Sequence, residues 1–423
     1  MSRKKRIPEI MSPAGDFICA DAAIKAGADA VYFGVEGLNM RAGAKNFSAS
    51  EMGRLSKLCD KFGVKKYLAL NTIYFDGDLP ALKRTVRLAK NSGVDAVISW
   101  DFAAIDLARE FGMEAFLSTQ ASAANKRAIA LWHKALGVNR FVLARECPIS
   151  DIAKIRSSLN KILGKSEAKK IQFEVFAHGA MCVSVSGRCF MSLFNCGKSA
   201  NRGECMQPCR REYFVRDSRG EGEGFLVGKG YVMSPKDLCA LPFLEKLLDA
   251  GIDSLKIEGR NRNAEYVFET VSASREAVDF YAENRSAKDF KPRFDGLARG
   301  LQERVGKVFN RGFSSGFYMG KPVGDWTSSG NFATRKKRIL GRVLNYFSKQ
   351  KVAQISVDDA SISAGDEFQI EGSTTGFVRA NAGEIFLSGA PAKSAEKGDV
   401  ISVKVPSKVR KNDRVYVFKD EKK

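Results

Sequence analysis

Short apolar runs rich in β-forming residues alternate with amphipathic helical stretches through the first 260 residues of this 423-residue chain. The runs are EIMSP (9–13), AVYFG (30–34), KYLALN (66–71), AVISWD (96–101), AFLSTQ (115–120), RFVLARE (140–146), FEVFAHG (173–179) and DSLKIEGR (253–260). Between them, segments such as DFICADAAIKAGA (16–28) carry apolar residues at helical spacing and a glycine near the end. Strands separated by helices indicate parallel pairing. A doubly wound sheet and a (β/α)8 barrel both fit, and eight strands within about 260 residues favour the TIM-like barrel.

Polar and charged residues stand at the carboxyl ends of the predicted strands. They are Arg41 beyond the second strand, Asn71, Asp101, Gln120, Arg145 with Glu146, His178, Lys256, Glu258 and Arg260. In such a barrel, catalytic groups lie just past the carboxyl ends of the strands. Each residue alone is also explained as a helix cap or a strand-end hydrogen bond, but their convergence on one rim predicts a site. Four are cationic, and arginine holds carboxylates or phosphates in a fixed orientation, so a small polyanionic ligand is expected.

The patterning divides the chain into three parts. Residues 1–285 hold the predicted barrel, which is closed by an amphipathic helix at 264–283 and interrupted after the seventh strand by an insertion at 182–230. Residues 286–338 are polar and are expected to form an irregular linker. From 339 to 423, short alternating segments such as KVAQISV and DVISVKV, separated by Gly, Asp and Asn, predict a small antiparallel β-barrel as an accessory domain.

The insertion contains five of the nine cysteines of the chain. Cys182, Cys189, Cys205 and Cys209 follow the spacing C-x6-C-x15-C-x3-C, and Cys196 lies between them. The basic amino terminus lacks the apolar stretch of a secretory signal, and no run reaches membrane-spanning length. We therefore expect a cytoplasmic protein, in which disulfides are disfavoured and clustered cysteines indicate metal or redox chemistry.

The choice of metal stays open on spacing alone. Zinc sites normally use two close cysteine pairs, whereas iron–sulfur clusters accept wider and less regular spacing. Only two histidines are present, His133 and His178, so a histidine-rich metal site has little support. The remaining cysteines are expected to be small buried apolar side chains: Cys19, Cys59, Cys147 and Cys239. Of these, Cys239 is also a reserve candidate for a metal ligand.

The chain is strongly basic. Sixty-nine Lys and Arg residues against 48 Asp and Glu residues give a net charge of +21. Such an excess draws a protein toward polyanions through phosphate contacts and counterion release, although a solvated basic surface has the same composition. Basic residues concentrate in RKKR (335–338), in KVPSKVRKNDR (404–414) and in the cysteine-rich insertion. RNA or DNA is therefore the expected partner.

Several sequence blocks resemble a known family. The segment EVFAHGAMCVSVSGRCFMS (174–192) is similar to the signature of the collagenase-like peptidases of unknown catalytic type. Further blocks of that family are MSPAGD (11–16), AGADAVYFG (26–34), NMRAGAKNFS (39–48), STQAS (118–122), MSPKDL (233–238) and SLKIEGR (254–260). The resemblance covers nearly the whole chain.

The resemblance implies RNA hydroxylation. One branch of the family makes 5-hydroxyuridine at the tRNA wobble position with prephenate as oxygen donor, another hydroxylates a cytidine of large-subunit rRNA, and a third acts on ubiquinone precursors. Members carry a [4Fe–4S] cluster, which the resemblance assigns to Cys182, Cys189, Cys205 and Cys209, since GECMQPCRREY (203–213) looks like the segment of the tRNA branch. Some relatives take a ligand from the following strand, where this chain has GFLVGKG (224–230) without cysteine.

The resemblance also suggests roles on the rim. Prephenate carries two carboxylates, which suit Arg41, Lys256 and Arg260, and proton transfer is open to Glu146, His178 or Glu258. Asn71, Gln120 and Arg145 complete the expected substrate-binding set. The partners expected are this small dicarboxylate and the tRNA anticodon loop, because a recessed site requires an unstacked loop nucleotide.

Other interpretations compete with tRNA hydroxylation. Hydroxylation of 23S rRNA cytidine shares the fold, cluster and charge, and a non-enzymatic RNA-binding protein is a further alternative. A peptidase has less support, because neither a GxSxG elbow nor an HExxH helix is present.

Overall fold

The strands before residue 335 build a barrel and a small extension of it. A computed structural model describes residues 7–41, 43, 45–220, 222, 224–227, 233–322, 325–327 and 330–420. The strands are β1 Glu9–Pro13, β2 Ala30–Phe33, β3 Lys65–Ala69, β4 Ala96–Ser99, β5 Glu114–Leu117, β6 Arg140–Val142, β7 Gln172–Gly179, β8 Tyr213–Val215, β9 Phe225–Val227, β10 Asp237–Cys239, β11 Ser254–Ile257 and β12 Phe313–Ser314.

The predicted parallel barrel is confirmed. Strands β1 to β7 pair in sequence order, and β11 pairs in parallel with both β1 and β7, which closes the circle. Each of the eight apolar runs overlaps one of these strands. The closed order excludes the doubly wound alternative, which would leave two open edges.

Helices connect the barrel strands. They are α1 Phe17–Lys25, α2 Met52–Asp60, α3 Leu79–Asn91, α4 Phe102–Glu110, α5 Lys126–Leu136, α6 Ile149–Ser158, α7 Asn160–Ala168, α8 Met191–Cys196, α9 Leu244–Asp249, α10 Ala264–Asn284 and α11 Phe290–Gly306. Several begin at a side chain that caps their first turn, as Asn263 does for α10. Asp101 caps α4 by accepting a hydrogen bond from the Ala103 amide at 2.9 Å. This rim residue is therefore a helix cap.

The segment 286–338 differs from the irregular linker that was expected. Helix α11 occupies 17 of its residues and packs against α10. Its buried residues, Phe290, Phe294, Ala298, Leu301 and Val305, recur every three or four positions. Two glycines and a proline inside this helix obscured that period in the sequence.

The insertion lies over the carboxyl end of the barrel. It contains the short helix α8 and the antiparallel hairpin β8–β9. Strand β10 then returns to the barrel and pairs antiparallel with β7, and β12 pairs with β10. Residues 228–232, which belong to GFLVGKG and YVMSPKDL, lie outside the described residues.

The carboxyl-terminal region is an antiparallel sheet, as predicted. Its strands are β13 Arg335–Phe347, β14 Val352–Val357, β15 Ile362–Ser363, β16 Glu367–Gly372, β17 Gly376–Asn381, β18 Ile385–Leu387, β19 Ala390–Ala392, β20 Ser394–Ala395, β21 Val400–Lys404 and β22 Arg414–Asp420. Eight of them follow the order β17-β16-β22-β13-β14-β21-β18-β19, and β15 pairs with β20. Alternate residues of these strands fill one separate apolar core.

This sheet packs against the side of the barrel. Asp21 of α1 accepts a hydrogen bond from the Phe377 amide at 2.7 Å, and Phe377 stacks on Phe268 of α10 with ring centroids 5.0 Å apart. Lys25 donates to the Phe377 carbonyl. The two regions therefore share a buried contact on the barrel's outer surface.

Helix length and composition bear on membrane insertion. Within the described ranges, no helix is both long and apolar enough to cross a bilayer.

Candidate active site at the mouth of the barrel

A cavity of about 280 Å³ opens where the insertion covers the carboxyl ends of the strands. Every predicted substrate-binding residue lines it, together with one predicted catalytic residue: Arg41, Asn71, Gln120, Arg145, Lys256, Arg260 and Glu258. All four predicted cysteine ligands line the same cavity: Cys182, Cys189, Cys205 and Cys209. The strand ends and the insertion therefore contribute to one site.

Arg41 and Glu258 form an ion pair across the cavity wall. Arg41 Nη2 donates to Glu258 Oε1 at 3.1 Å. Burial by itself raises the pKa of Glu258, but Arg41, Arg262 and Arg145 outweigh it and bring the pKa below its usual value. Glu258 is therefore a carboxylate at neutral pH and the one acidic side chain among the residues that line the cavity.

Arg260 is the most enclosed cation of the site. It is 5% exposed, and its Nη1 has no hydrogen-bond partner among the described residues. Burial lowers its pKa to about 10, still well above neutrality. A Cβ on Gly34 would lie 2.2 Å from that Nη1, so only glycine leaves room for this guanidinium. A buried arginine without a partner that faces a cavity is suited to binding an anion.

Lys256 joins the cavity to charges inside the barrel. Its Nζ donates to Glu174 Oε1 at 3.1 Å and lies 4.4 Å from the centre of the Tyr32 ring. Glu174 also pairs with Arg140 at 3.2 Å, and Arg140 donates to Glu9 at the opposite end of the barrel. Burial lowers the pKa of Lys256, and Glu174 opposes that effect. The paired carboxylate holds the ammonium group at the cavity floor.

Three further polar side chains on the rim take part in hydrogen bonds that fix the loops: Asn71, Gln120 and Arg145. Asn71 Oδ1 accepts from the Met40 amide at 3.2 Å, and Gln120 accepts from the Ser118 hydroxyl. Arg145 Nη1 donates to the Ala180 carbonyl at 3.0 Å, and its guanidinium lies 3.9 Å from the centre of the Phe176 ring. These contacts place the side chains in the wall before any ligand binds.

The four cavity cysteines have free thiols and lie near one another. Burial raises the pKa of Cys209, Arg210 opposes the increase, and Cys182, Cys205 and Cys189 add to it through their charges. The Met191 amide points at Cys189 Sγ at 3.3 Å, and the Ser192 hydroxyl lies 4.0 Å from Cys205 Sγ. Donors of this kind stabilise thiolate ligands.

The thiols are not arranged as a single-ion site. In the parts of the chain that the structure describes, no three His, Cys, Asp or Glu side chains are already placed to hold one metal ion. A tetrahedral zinc site with Zn–S bonds of about 2.3 Å needs its sulfurs much closer together than a cluster of several metals does. Four thiols around a common space fit the donor set of an iron–sulfur cluster.

Hydrogen bonds hold the insertion over the cavity. Arg210 donates to the Met181 carbonyl and to the Ser234 hydroxyl, both at 2.6 Å. Asn201 Oδ1 accepts from the Cys189 amide at 3.1 Å, and its carbonyl accepts from the Ile73 amide at 3.2 Å. The cysteine-bearing loop is thereby fastened to the barrel on two sides.

Backbone strain collects beside the same cavity. Ser186 and Gln207 line it with φ values of +48° and +53°, in the left-handed region that non-glycine residues rarely adopt. Gln207 also precedes Pro208, which disfavours a helical conformation further. Strain of this kind is frequent at functional sites, where the surrounding structure imposes it.

Some predicted residues lie elsewhere. Glu146 is exposed and outside the residues that line the cavity. His178 is 4% exposed and also lies outside that set, with its ring near those of Tyr266 and Phe313. Burial, with a further contribution from Arg262, lowers the pKa of His178 to about 3, so its ring is neutral. These two side chains therefore differ from the expectation that they face the ligand.

The remaining cysteines are separate from the cavity. Cys19, Cys59, Cys147 and Cys239 are buried, as expected. Burial raises the pKa of Cys239 to about 12, which disfavours its thiolate. Cys196 ends helix α8 and does not contribute to the lining. Cys196 and the reserve candidate Cys239 therefore do not share the space of the other four.

Sequence reasoning did not assign three further cavity arginines to the site. Arg262 lies two residues past Arg260 in the same loop, so the strand-end argument applies to it equally. Arg210 follows Cys209 directly and was counted only as a basic residue of the insertion. Arg311 comes from the segment after α11 and pairs with the buried Asp237 at 3.5 Å. No sequence signal placed Arg311 near the barrel mouth.

The arrangement is suited to binding a small anion beside four thiols. Seven cationic side chains line the cavity with a single carboxylate, and each arginine supplies several fixed donors. The thiols on the insertion face the same space.

Comparison with known proteins relates the chain to both peptidases and RNA hydroxylation proteins. It is 39% identical over 414 residues to a protein named collagenase from Porphyromonas gingivalis, covering 97% of both chains. It is 32% identical over 345 residues to tRNA hydroxylation protein P1 from Bacillus subtilis, covering 80% of this chain and 78% of that one. It is 34% identical over 277 residues to 23S rRNA 5-hydroxycytidine C2501 synthase from Escherichia coli, covering 66% of this chain and 40% of that one.

The family model described as peptidase family U32 matches residues 15–328, which include the whole barrel after β1 and all the cavity cysteines. The chain belongs to the peptidase U32 family.

Proposed function

We propose that this protein hydroxylates a base of RNA, with the wobble uridine of the tRNA anticodon loop as the target and 5-hydroxyuridine as the product. The observation that carries the proposal is that four thiols and a ring of cationic side chains line one cavity at the barrel mouth. The relative named tRNA hydroxylation protein P1 supports tRNA as the substrate. The net charge of +21 is complementary to a nucleic acid.

The oxygen donor in this proposal is prephenate. Its two carboxylates match the buried Arg260 and the neighbouring Lys256, which have fixed positions at the cavity floor. As an ionised group that lines the cavity, Glu258 is placed to accept a proton from a bound substrate.

The cofactor in this proposal is a [4Fe–4S] cluster held by Cys182, Cys189, Cys205 and Cys209. Such a cluster supplies single-electron transfer. The chain contributes amide and hydroxyl donors beside the Cys189 and Cys205 sulfurs, and Arg210 lies next to Cys209. These groups stabilise negative charge on the thiolates.

The cluster assignment is tested by anaerobic purification. Wild-type protein should contain about four irons per chain and a broad visible absorption band. Cys205→Ser should lose both. Cys196→Ser is the matched control, because Cys196 belongs to the same insertion but lies outside the cavity, and it should keep both. Stoichiometric zinc without sulfide would contradict the assignment.

The activity is tested by mass spectrometry of nucleosides from a strain that lacks the gene. Loss of 5-hydroxyuridine from tRNA, restored by the wild-type gene but not by Glu258→Ala, is the expected result. Unchanged modification of both tRNA and rRNA would refute the proposal.

Hydroxylation of a 23S rRNA cytidine is the second candidate. The similarity to 23S rRNA 5-hydroxycytidine C2501 synthase favours it, although this chain spans 40% of that relative. The same measurement separates the two, since loss of hydroxycytidine from rRNA with intact tRNA would select this candidate.

Peptidase activity is the third candidate, because of the relative named collagenase. Nucleophilic proteolysis by Ser or Cys requires a base beside the nucleophile. His178 is enclosed by aromatic rings, and His133 bonds to Glu167 on the outside of the barrel. Gelatin hydrolysis by purified wild-type protein, absent from Glu258→Ala, would favour the peptidase.

A further inference from the structure

Helix α8 and the residue directly before it present two aromatic rings to solvent beside the cavity. Phe190 is 60% exposed and Phe194 is 84% exposed. They are four residues apart on the same face of the helical turn, and their ring centroids are 6.1 Å apart. The opposite side of the helix faces the site, since Ser192 is 1% exposed and lines the cavity with Met191.

Two arginine–aromatic pairs lie at the same end of the barrel. The guanidinium of Arg202 is 4.6 Å from the centre of the Phe75 ring, which is 63% exposed. The guanidinium of Arg188 is 5.8 Å from the centre of the Trp100 ring, and Trp100 Nε1 donates to the carbonyl of Asn71, a cavity residue. The exposed Phe75 ring and the partly exposed Trp100 ring thus lie at the same end of the barrel as the cavity.

We propose that Phe190 and Phe194 form a stacking surface for unpaired RNA bases next to the base that enters the cavity. Exposed phenylalanine rings in a globular protein mark an interaction surface when they lie together. Residues 182–220 carry seven basic and three acidic side chains, so phosphate is attracted to the same segment. Rings for the bases and cations for the backbone are the combination used to bind single-stranded nucleic acid.

This inference rests on the proposed function, because it names the surface by which that RNA substrate is held. A flipped or looped base leaves its neighbours partly unstacked, and these regain stacking on a protein ring. Cys189, a proposed cluster ligand, directly precedes Phe190. Bases stacked on Phe190 and Phe194 would thus lie beside the cluster and the cavity entrance.

The test compares two RNA hairpins that differ only in their loops: one with normal bases and one with abasic sugars at the loop positions. The double variant Phe190→Leu/Phe194→Leu keeps apolar bulk but removes the rings. It should bind the normal hairpin at least about tenfold more weakly than wild type, because each unpaired base loses the ring on which it stacks. Binding of the abasic hairpin should be unchanged. The dependence of log Kd on log salt should also keep its slope, because the number of phosphate contacts is unaltered.

Two controls keep the result interpretable. Phe62→Leu alters a phenylalanine that is 52% exposed at the opposite end of the barrel, next to the start of β3, and should bind both hairpins as wild type does. The single variant Phe194→Leu changes the more exposed ring and should give part of the loss if the double variant does not fold. Iron content, measured for every variant, shows whether the cysteine loop is intact.

The outcomes are distinct. Equal affinity of the double variant and wild type for the normal hairpin, or an equal loss for both hairpins, overturns the stacking surface while leaving the proposed function in place. A change of oligomeric state in sedimentation with unchanged RNA affinity overturns it in favour of an interface between copies of this chain. Failure of wild-type protein to bind either hairpin would refute the proposed function as well.

Discussion

At the scale of single residues, Arg260 lowers the stability of the fold but is suited to binding an anionic ligand. Its guanidinium is almost fully buried, and Nη1 lacks a partner in the described part of the chain. An unpaired buried donor destabilises the fold, by about 1–3 kcal/mol or more for a charged group. A ligand carboxylate would satisfy that donor.

Arg260→Met should therefore separate stability from binding. The free energy of unfolding, measured by denaturant titration, should rise by about 1 kcal/mol or more, because a charge without a partner is replaced by an apolar chain of similar length. The Kd for prephenate, the oxygen donor proposed above, should rise at least about tenfold in calorimetry. Arg299→Met, at an exposed position of α11, is the control and should change neither quantity. Unaltered prephenate affinity in Arg260→Met would contradict the assigned role.

The buried His178 makes the stability of the folded protein depend on pH. Its folded pKa of about 3 lies below the value of about 6.5 for an unfolded chain, so the unfolded state binds the additional proton between these pH values. Stability therefore falls as the pH falls through this window. Between pH 7 and pH 5 the loss from this one group is about 2 kcal/mol.

His178→Phe should remove that dependence. Phenylalanine keeps a ring beside Tyr266 and Phe313 and does not titrate. Denaturant unfolding at pH 7 and pH 5 should show wild type losing about 2 kcal/mol more than the variant. Parallel losses in both proteins would mean that His178 is accessible to protons in the folded state.

At the scale of elements, the insertion depends on a few polar contacts. Short helix α8 and the loops around it have little apolar burial of their own, and several of their large apolar residues are exposed. Arg210 connects Met181 at the start of the insertion with Ser234 at its end. A segment held mainly by such contacts opens locally more easily than the barrel.

Arg210→Ala should loosen the insertion without unfolding the barrel. Limited proteolysis should cut within 182–220 about tenfold faster or more, because a charged donor with several acceptors is removed. The thermal transition of the barrel should move little. Arg211→Ala is the neighbouring control, since the bond that Arg211 makes among the described residues, to the Met206 carbonyl at 3.4 Å, stays within the insertion. Equal cleavage rates in both variants would show that other contacts hold the loop.

At the scale of the whole molecule, the antiparallel sheet is attached to the barrel through Asp21 and Lys25 of α1, the Glu269–Arg379 ion pair and the bond from Arg54 to the Ser373 carbonyl. Asp21 accepts from Lys25 and from the Phe377 amide, both at 2.7 Å. Gly376 in β17 lies so close that a Cβ there would be 2.2 Å from Asp21 Oδ2. Each region has a main apolar core of its own, and Phe377 of β17 packs into the barrel core, so weakening the contacts around Phe377 favours separate unfolding of the two regions.

Asp21→Ala should uncouple the two regions. It leaves the Phe377 amide without its acceptor, at an expected loss of about 1–3 kcal/mol. Calorimetry should resolve two unfolding transitions in the variant, whereas the transitions of the two regions should lie closer together in wild type. Asp295→Ala, on the exposed side of α11, is the control and should resemble wild type. A single unshifted transition would show that Asp21 is dispensable for the contact.

The local pattern of the sequence determined the barrel, its strand order and the polar positions at the strand ends. Such periodicity reports which side of each element is buried, and parallel βα units have essentially one way to close. Helix α11 was not predicted from the sequence, because Pro292, Gly296 and Gly300 weaken its helical pattern. Its packing against α10 stabilises the helix in the folded protein.

Only the tertiary structure decided which polar residues share the cavity. Glu146 and Arg145 are neighbours in the turn that follows β6, yet Arg145 lines the cavity, where it donates to the Ala180 carbonyl, and Glu146 is exposed. His178 lies in β7 but is enclosed by Tyr266 of α10 and Phe313 of β12, which are distant in sequence. Arg311 reaches the mouth only because the chain after α11 returns to pair with β10. Contacts between distant segments leave no local pattern, so folding alone brings these groups together or keeps them apart.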